Sequence, residues 1–122
     1  MTARFLLTKS TGFDAAHHLN QGDADHPYRR LHGHSFKLSV SIAGEPDPQD
    51  RWVADFAALG AAIEHVRARL DHSFLNEIPG LETPTLENLC VWVARELKDL
   101  PGLARVSVAR PSLGEECILD LA

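Results

Sequence analysis

Cysteine is scarce in this chain: Cys90 and Cys117 are the only two in 122 residues. Cys90 falls in a helical pattern and Cys117 in a strand pattern, and neither has a CxxC neighbour. That argues against a disulfide framework and against a thiolate metal site. Basic residues are also few, with 12 Lys and Arg against 17 Asp and Glu and a net charge of −5. No basic stripe is left to neutralise phosphates, so a nucleic-acid partner is not expected. No apolar run approaches membrane-spanning length. The segment from Met1 to Lys9 lacks the apolar core of a signal peptide, so the expected location is the reducing cytoplasm, with no membrane partner. Repeats and low-complexity tracts are missing too. With 44% hydrophobic and 24% charged residues, the composition is that of one globular domain, expected over residues 1–122.

The order of elements follows from hydrophobic periodicity. A first strand is expected over Arg4–Lys9, resuming at Gly12–Leu19, and a second from His32 to Ala43, where Phe36, Leu38, Val40 and Ile42 alternate. Between them Asn20–Arg30 is polar and reads as a loop. After the turn Gly44–Asp50 the period changes. Phe56, Leu59, Ile63, Val66 and Leu70 fall on one helical stripe, with Asp55 as N-cap. A second helix begins near Thr83-Pro84-Thr85 and carries Leu86, Leu89, Cys90, Val93 and Leu97. Arg105–Arg110 and Glu116–Leu121 read as a closing strand pair. The order ββ-αα-ββ points to an α+β fold, with both helices on one face of an antiparallel sheet. The exposed edges of such a sheet lead us to expect a homo-oligomer.

Histidines are where the chemistry concentrates. His32 and His34 open the second strand in Leu31-His32-Gly33-His34-Ser35-Phe36. Side chains at i and i+2 of a strand share a face, roughly 6.5–7 Å apart. His17, at the end of the preceding strand, is the natural third ligand. Three imidazoles with no fourth protein ligand describe a catalytic zinc site with one position open. Spacing alone leaves an accidental His-x-His pair as the alternative. His18 is expected to face away, as a structural or exposed residue. His26, in the loop, reads as a surface residue, with a supporting donor or a movable acid–base group as alternatives. Asp71 beside His72 can orient an imidazole and leave its other nitrogen free to move a proton. On the residues alone, a solvated helix end is the simpler reading of that pair.

Five segments then occur in order: Phe13-Asp-Ala-Ala-His-His-Leu19, Arg30-Leu-His-Gly-His-Ser-Phe36, Trp52-Val-Ala-Asp-Phe56, Leu70-Asp-His-Ser-Phe-Leu-Asn76 and Thr83-Pro-Thr-Leu-Glu-Asn-Leu89. Together they resemble the 6-pyruvoyl-tetrahydropterin synthase family, above all the bacterial 6-carboxy-tetrahydropterin synthases of queuosine biosynthesis. The resemblance runs from about Phe5 to Ile118. It implies the tunnelling fold, in which subunits close their sheets into a barrel as trimers paired into hexamers. It also implies Zn²⁺ on His17, His32 and His34, a proton-relay pair at Asp71 and His72, a substrate contact at Thr85, and a pterin-type small molecule as substrate.

Two positions depart from the family pattern. The catalytic cysteine expected four residues before His32 is Tyr28. A thiolate is an accessible base near neutral pH, whereas a phenol titrates near pH ~10 in water. Where a glutamate normally reads the pterin ring, an ungapped alignment places Arg110, which has donors but no acceptor. Arg110 is therefore either an exposed strand-end arginine or a clamp for a carboxylate or phosphate. Glu115 and Glu116 fall several residues late, and would substitute only if the hairpin is rebuilt. The resulting expectation is a zinc-dependent lyase of the family acting on a pterin or an anionic analogue, with Tyr28, Asp71 and His72 as catalytic candidates. The alternatives are a non-catalytic, zinc-containing binding paralogue and a zinc that only stabilises an oligomer.

Overall fold

The computed structural model describes residues 4–121. The first three residues of the signal-peptide reading, and both ends of the expected domain, lie outside them. Four strands form one antiparallel sheet in the order β1 (Phe5–His17), β2 (His32–Gly44), β3 (Leu103–Arg110) and β4 (Glu115–Asp120). Helices α1 (Phe56–Leu70) and α2 (Leu86–Glu96) lie between β2 and β3 in sequence. No helix among the described residues is long and apolar enough to cross a membrane.

The expected α+β order is the observed one. β1 runs unbroken through Ser10 and Thr11, where a pause was expected, because both pair with β2 and Ser10 Oγ lies 2.7 Å from Ser39 Oγ. The Asp55 carboxylate accepts the Ala57 N–H at 2.8 Å, capping α1 as expected. Thr85 caps α2 by accepting the Asn88 N–H. The α1 stripe buries Leu59, Ile63, Val66 and Leu70, while Phe56 in the first turn is exposed. These side chains, with Leu89, Cys90 and Val93 of α2, pack on the sheet face made by Phe13, Phe36, Leu38, Val40, Val106 and Val108. The core therefore lies on one side of the sheet. The other side carries the alternate residues, among them Asp14, Ala16, Gly33 and Ser35.

Two glycines fix the ends of β3. Gly102 has φ +75° and Gly114 φ +66°, a region other residues enter at a cost. A Cβ on Gly102 would stand 2.6 Å from the Ala43 carbonyl oxygen, whereas one on Gly114 would meet nothing. Gly114→Ala is therefore expected to cost about 1 kcal/mol. Gly102→Ala should cost clearly more, because backbone must also move. Chemical denaturation of the two variants checks this, and equal losses would contradict the steric account.

Candidate metal centre

The register between β1 and β2 pairs His17 with His32 and Ala15 with His34. All three imidazoles thereby fall on the core side of the sheet, at one end of it. Their ligand atoms lie within 4.8 Å of one another. Below them Phe13 and Phe36 stack with centroids 4.9 Å apart, and Phe36 presents its ring to His17 and His34. His17 is only 1% exposed.

Backbone carbonyls set the tautomers. His17 Nδ1 donates to the Pro84 carbonyl at 3.3 Å, and His32 Nδ1 donates to the Arg30 carbonyl at 2.7 Å. A carbonyl only accepts, so each of these rings carries its proton on Nδ1. The two Nε2 atoms then point lone pairs at each other across 3.0 Å. Facing lone pairs repel unless a proton or a cation lies between them. His34 Nε2 is likewise buried without a partner. Two facing lone pairs beside a third, unpartnered imidazole nitrogen make the donor set a divalent ion needs. Nitrogens around a tetrahedral zinc at 2.0–2.1 Å stand roughly 3.3 Å apart, close to the His17–His32 separation. The carbonyls of Pro84 and Arg30 act as the outer partners that hold metal-binding imidazoles in place. Burial pushes the His17 imidazole down to about 4, with His32, His34 and Arg110 adding in the same direction against the Pro84 carbonyl. His34 is lowered too, first by burial.

A cavity of about 320 Å³ opens on this centre and is lined by Tyr28, His34, Thr85, Glu87, Arg110 and Glu115, among others. Tyr28 reaches it because its carbonyl accepts the Leu19 N–H at 2.6 Å, which ties the loop back onto the end of β1. The ring is 49% exposed and lies 4.1 Å, centroid to centroid, from His26. His26 therefore packs on Tyr28, and its Nδ1 accepts the Tyr28 N–H. Thr85 lines the wall from the head of α2. Arg110 is not the exposed strand-end residue that was one of its two readings. Its side chain is 17% exposed and its Nε lies 2.9 Å from Glu115 Oε1.

Asp71 and His72 stand elsewhere. His72 lines a second cavity of about 510 Å³ with Asp14, Ala16, Gly33, Ser35 and Ser73, which shares only His34 with the first, and Asp71 stands behind it. The pair stands at the solvated end of α1, where Asp71 is the C-cap, and it is well formed. His72 Nδ1 lies 2.9 Å from Asp71 Oδ2, while Asp71 Oδ1 accepts the Asp14 N–H. That backbone hydrogen bond is the main reason the Asp71 carboxyl sits below its ordinary range, with His72 next. His72 holds φ +58° because its own N–H is committed to the Asp14 carbonyl at 2.7 Å. A left-handed conformation in a residue other than glycine is a strain often found at functional positions. The imidazole is 81% exposed.

Sequence reasoning missed the Pro84 and Arg30 carbonyls, since backbone acceptors carry no side-chain signature. It noticed Glu115 but placed it too late in the chain to reach the site. The hairpin brings it back, pairing Arg110 with Glu115 across β3 and β4. His18, expected to face away as a structural or exposed residue, is half-buried with its ring 5.7 Å from that of Phe74, and its backbone N–H and carbonyl are both held by Asn76.

A three-imidazole centre on the face of a small antiparallel sheet, opening into a ligand-sized cavity, defines the class. The comparisons with known proteins define the family. The sequence profile described as 6-pyruvoyl tetrahydropterin synthase matches residues 6–117. The chain is 36% identical over 111 residues to a 6-carboxy-5,6,7,8-tetrahydropterin synthase of Synechocystis sp., covering 85% of this chain and 84% of that protein. It is 37% identical over 116 residues to a dihydroneopterin monophosphate aldolase of Pyrococcus furiosus, covering 94% and 91%. The fold is that of the Caenorhabditis elegans 6-pyruvoyl tetrahydropterin synthase, with a TM-score of 0.87 at 23% identity, covering 99% of this chain and 98% of that one. The chain belongs to the 6-pyruvoyl tetrahydropterin synthase family.

The depressed His17 basicity has a consequence for the metal-free protein. The unfolded imidazole binds its proton near pH 6.5 and the folded one near 4. The associated stability is complete above pH 6.5 and is lost as pH falls through that interval, on the order of 3 kcal/mol by its lower end. Thermal unfolding of the metal-free protein between pH 7 and 4 should show this loss, and His17→Gln should flatten it.

Proposed function

We propose that this protein is a zinc-dependent lyase that acts on the side chain of a pterin, with the metal held by His17, His32 and His34. The observation that carries the reading is the pair of Nε2 lone pairs facing each other at 3.0 Å, fixed by two carbonyl acceptors. Zinc bound there would polarise a substrate oxygen and acidify the adjacent C–H or O–H. The relatives named as a carboxy-tetrahydropterin synthase and as a dihydroneopterin monophosphate aldolase support pterin chemistry of this class.

The chain's own residues divide the remaining work. Thr85 and Arg110 line the substrate cavity and orient the ligand against His34. Tyr28 stands at the cavity mouth in the place of the family's cysteine, bringing a phenolic hydroxyl where the family has a thiol. The base is then the imidazole of His72, kept in one tautomer by the Asp71 carboxylate, which accepts from Nδ1 and leaves Nε2 free. In one chain His72 lies on the wrong face of the sheet to reach the cavity on the imidazole side. It serves the reaction only if another copy of the chain delivers it. A homo-oligomer closed through the β1 and β4 edges, as a barrel of trimers or hexamers, supplies such a neighbour.

Elemental analysis should find about one zinc per chain, and His32→Ala or His34→Ala should abolish it while the chain still folds. With metal bound, dihydroneopterin triphosphate and dihydroneopterin monophosphate are the substrates to assay. Turnover of either is expected to fall by about 10²-fold or more in His72→Ala and by a smaller factor in Tyr28→Phe. Stoichiometric binding without turnover would instead identify a zinc-containing binding paralogue. A fully folded protein that takes up no metal would refute the centre itself. Light scattering of the native protein reads the oligomer, and a monomer would remove His72 from the site.

A further inference from the structure

The remaining anomaly in the cavity is a largely buried guanidinium with one partner that does not satisfy it. Arg110 Nε lies within ion-pair distance of Glu115 Oε1 at 2.9 Å, yet the contact is off the N–H axis and Nε is left without an aligned hydrogen bond. Arginine brings five donors and no acceptor, and a buried donor without a partner is costly. Glu115 contributes the complementary half, a carboxylate 46% exposed at the cavity rim. The pair is built into the hairpin. Pro111–Leu113 form a single turn, Gly114 closes it at φ +66°, and Arg110 and Glu115 become direct cross-strand partners. Glu116 is excluded from this role, since its carboxylate accepts the Ser107 hydroxyl at 2.9 Å.

We propose that the Arg110–Glu115 pair reads the substrate, and that it selects a ring edge on which a carbonyl oxygen stands beside an N–H, as in a cyclic amide. The inference rests on the reading of this cavity as the substrate site. Such an edge gives its oxygen to Arg110 and its N–H to Glu115, satisfying both charged groups at once. A free carboxylate or phosphate would satisfy Arg110 but would meet the carboxylates of Glu115 and Glu87 in the same cavity.

The test is binding to the zinc-loaded full-length protein, followed by pterin fluorescence, with pterin and its N3-methyl derivative as probes. The methyl group removes the N–H and leaves the carbonyl. Wild-type protein is expected to bind pterin about tenfold or more tightly than the methylated ring. Glu115→Gln should weaken pterin binding by a similar factor and shrink that preference towards one, with zinc content and thermal midpoint unchanged. Arg110→Met should weaken both probes together. If pterin binds but the preference survives Glu115→Gln, the pair does not read the ring and the assignment falls while the substrate site stands. If neither probe binds the zinc-loaded protein, or if inorganic pyrophosphate binds in their place, the cavity is not a pterin site and both readings fall together.

Discussion

Everything at the site hangs on the register between β1 and β2. Because side chains alternate at period two, pairing His17 with His32 and Ala15 with His34 places three imidazoles on the core face. It also places Asp14 and Ser35 on the other. A slip of β1 by one residue against β2 would turn His17 to the outer face and Asp14 to the core, breaking up the three imidazoles. The register is held from several directions. Phe13 and Phe36 stack beneath the histidines, the Thr8 and Ser10 hydroxyls bond across to Ser41 and Ser39, and Asn76 clamps the end of β1 at His18. The motif Leu-Asp-His-Ser-Phe-Leu-Asn thus does two jobs, presenting the Asp71–His72 pair and locking the strand that carries His17.

Most of this fold is legible in the sequence because each element has an unambiguous period. The alternation from Phe36 to Ile42 and the stripe from Leu59 to Leu70 leave no competing reading, and Asp55 and Thr85 mark the helix starts by their capping chemistry. The three imidazoles are legible for the same reason, since two of them share a strand face and the third ends the neighbouring strand. What sequence leaves open is where side chains point when a turn intervenes. Arg110 reads equally well as a surface residue until the hairpin geometry is known. Glu115 looks misplaced because ungapped alignment counts residues, whereas a four-residue connection brings position 115 directly opposite position 110. The carbonyls of Pro84 and Arg30 are invisible for a different reason: every residue has one, and only the fold decides which two face an imidazole.

The same register that gathers the three imidazoles separates them from the Asp71–His72 pair. Asp71 and His72 are tied to the Asp14 backbone in two places, through the Asp14 N–H and carbonyl, and are therefore fixed along the free edge of β1, with His72 beside the outer-face cavity. No rotamer change moves His72 through a sheet whose other side is packed core. On the proposed function, a chain that holds its imidazole cluster and its Asp–His pair so far apart needs a second copy to complete the site. The sheet's two edges, β1 and β4, are the surfaces through which another copy would bring the two faces into one site. In this view assembly and catalysis impose a single constraint, and the exposure of His72 in the lone chain is a consequence of it.

Substituting Tyr28 and Arg110 for the family's cysteine and glutamate looks, position by position, like loss of function. The cavity gives a different account. Tyr28 puts a phenol at the cavity mouth without vacating it, because the Leu19 N–H draws its backbone to the end of β1. Arg110 does not remove a carboxylate from the cavity, since Glu115 enters beside it and is held there as its ion partner. On the proposed reading the net change is from one acceptor to an acceptor with an adjacent donor, which narrows the set of ring edges that fit. A pocket that had simply decayed would have no reason to keep a buried arginine matched to a carboxylate across a tight hairpin, next to three converging imidazoles.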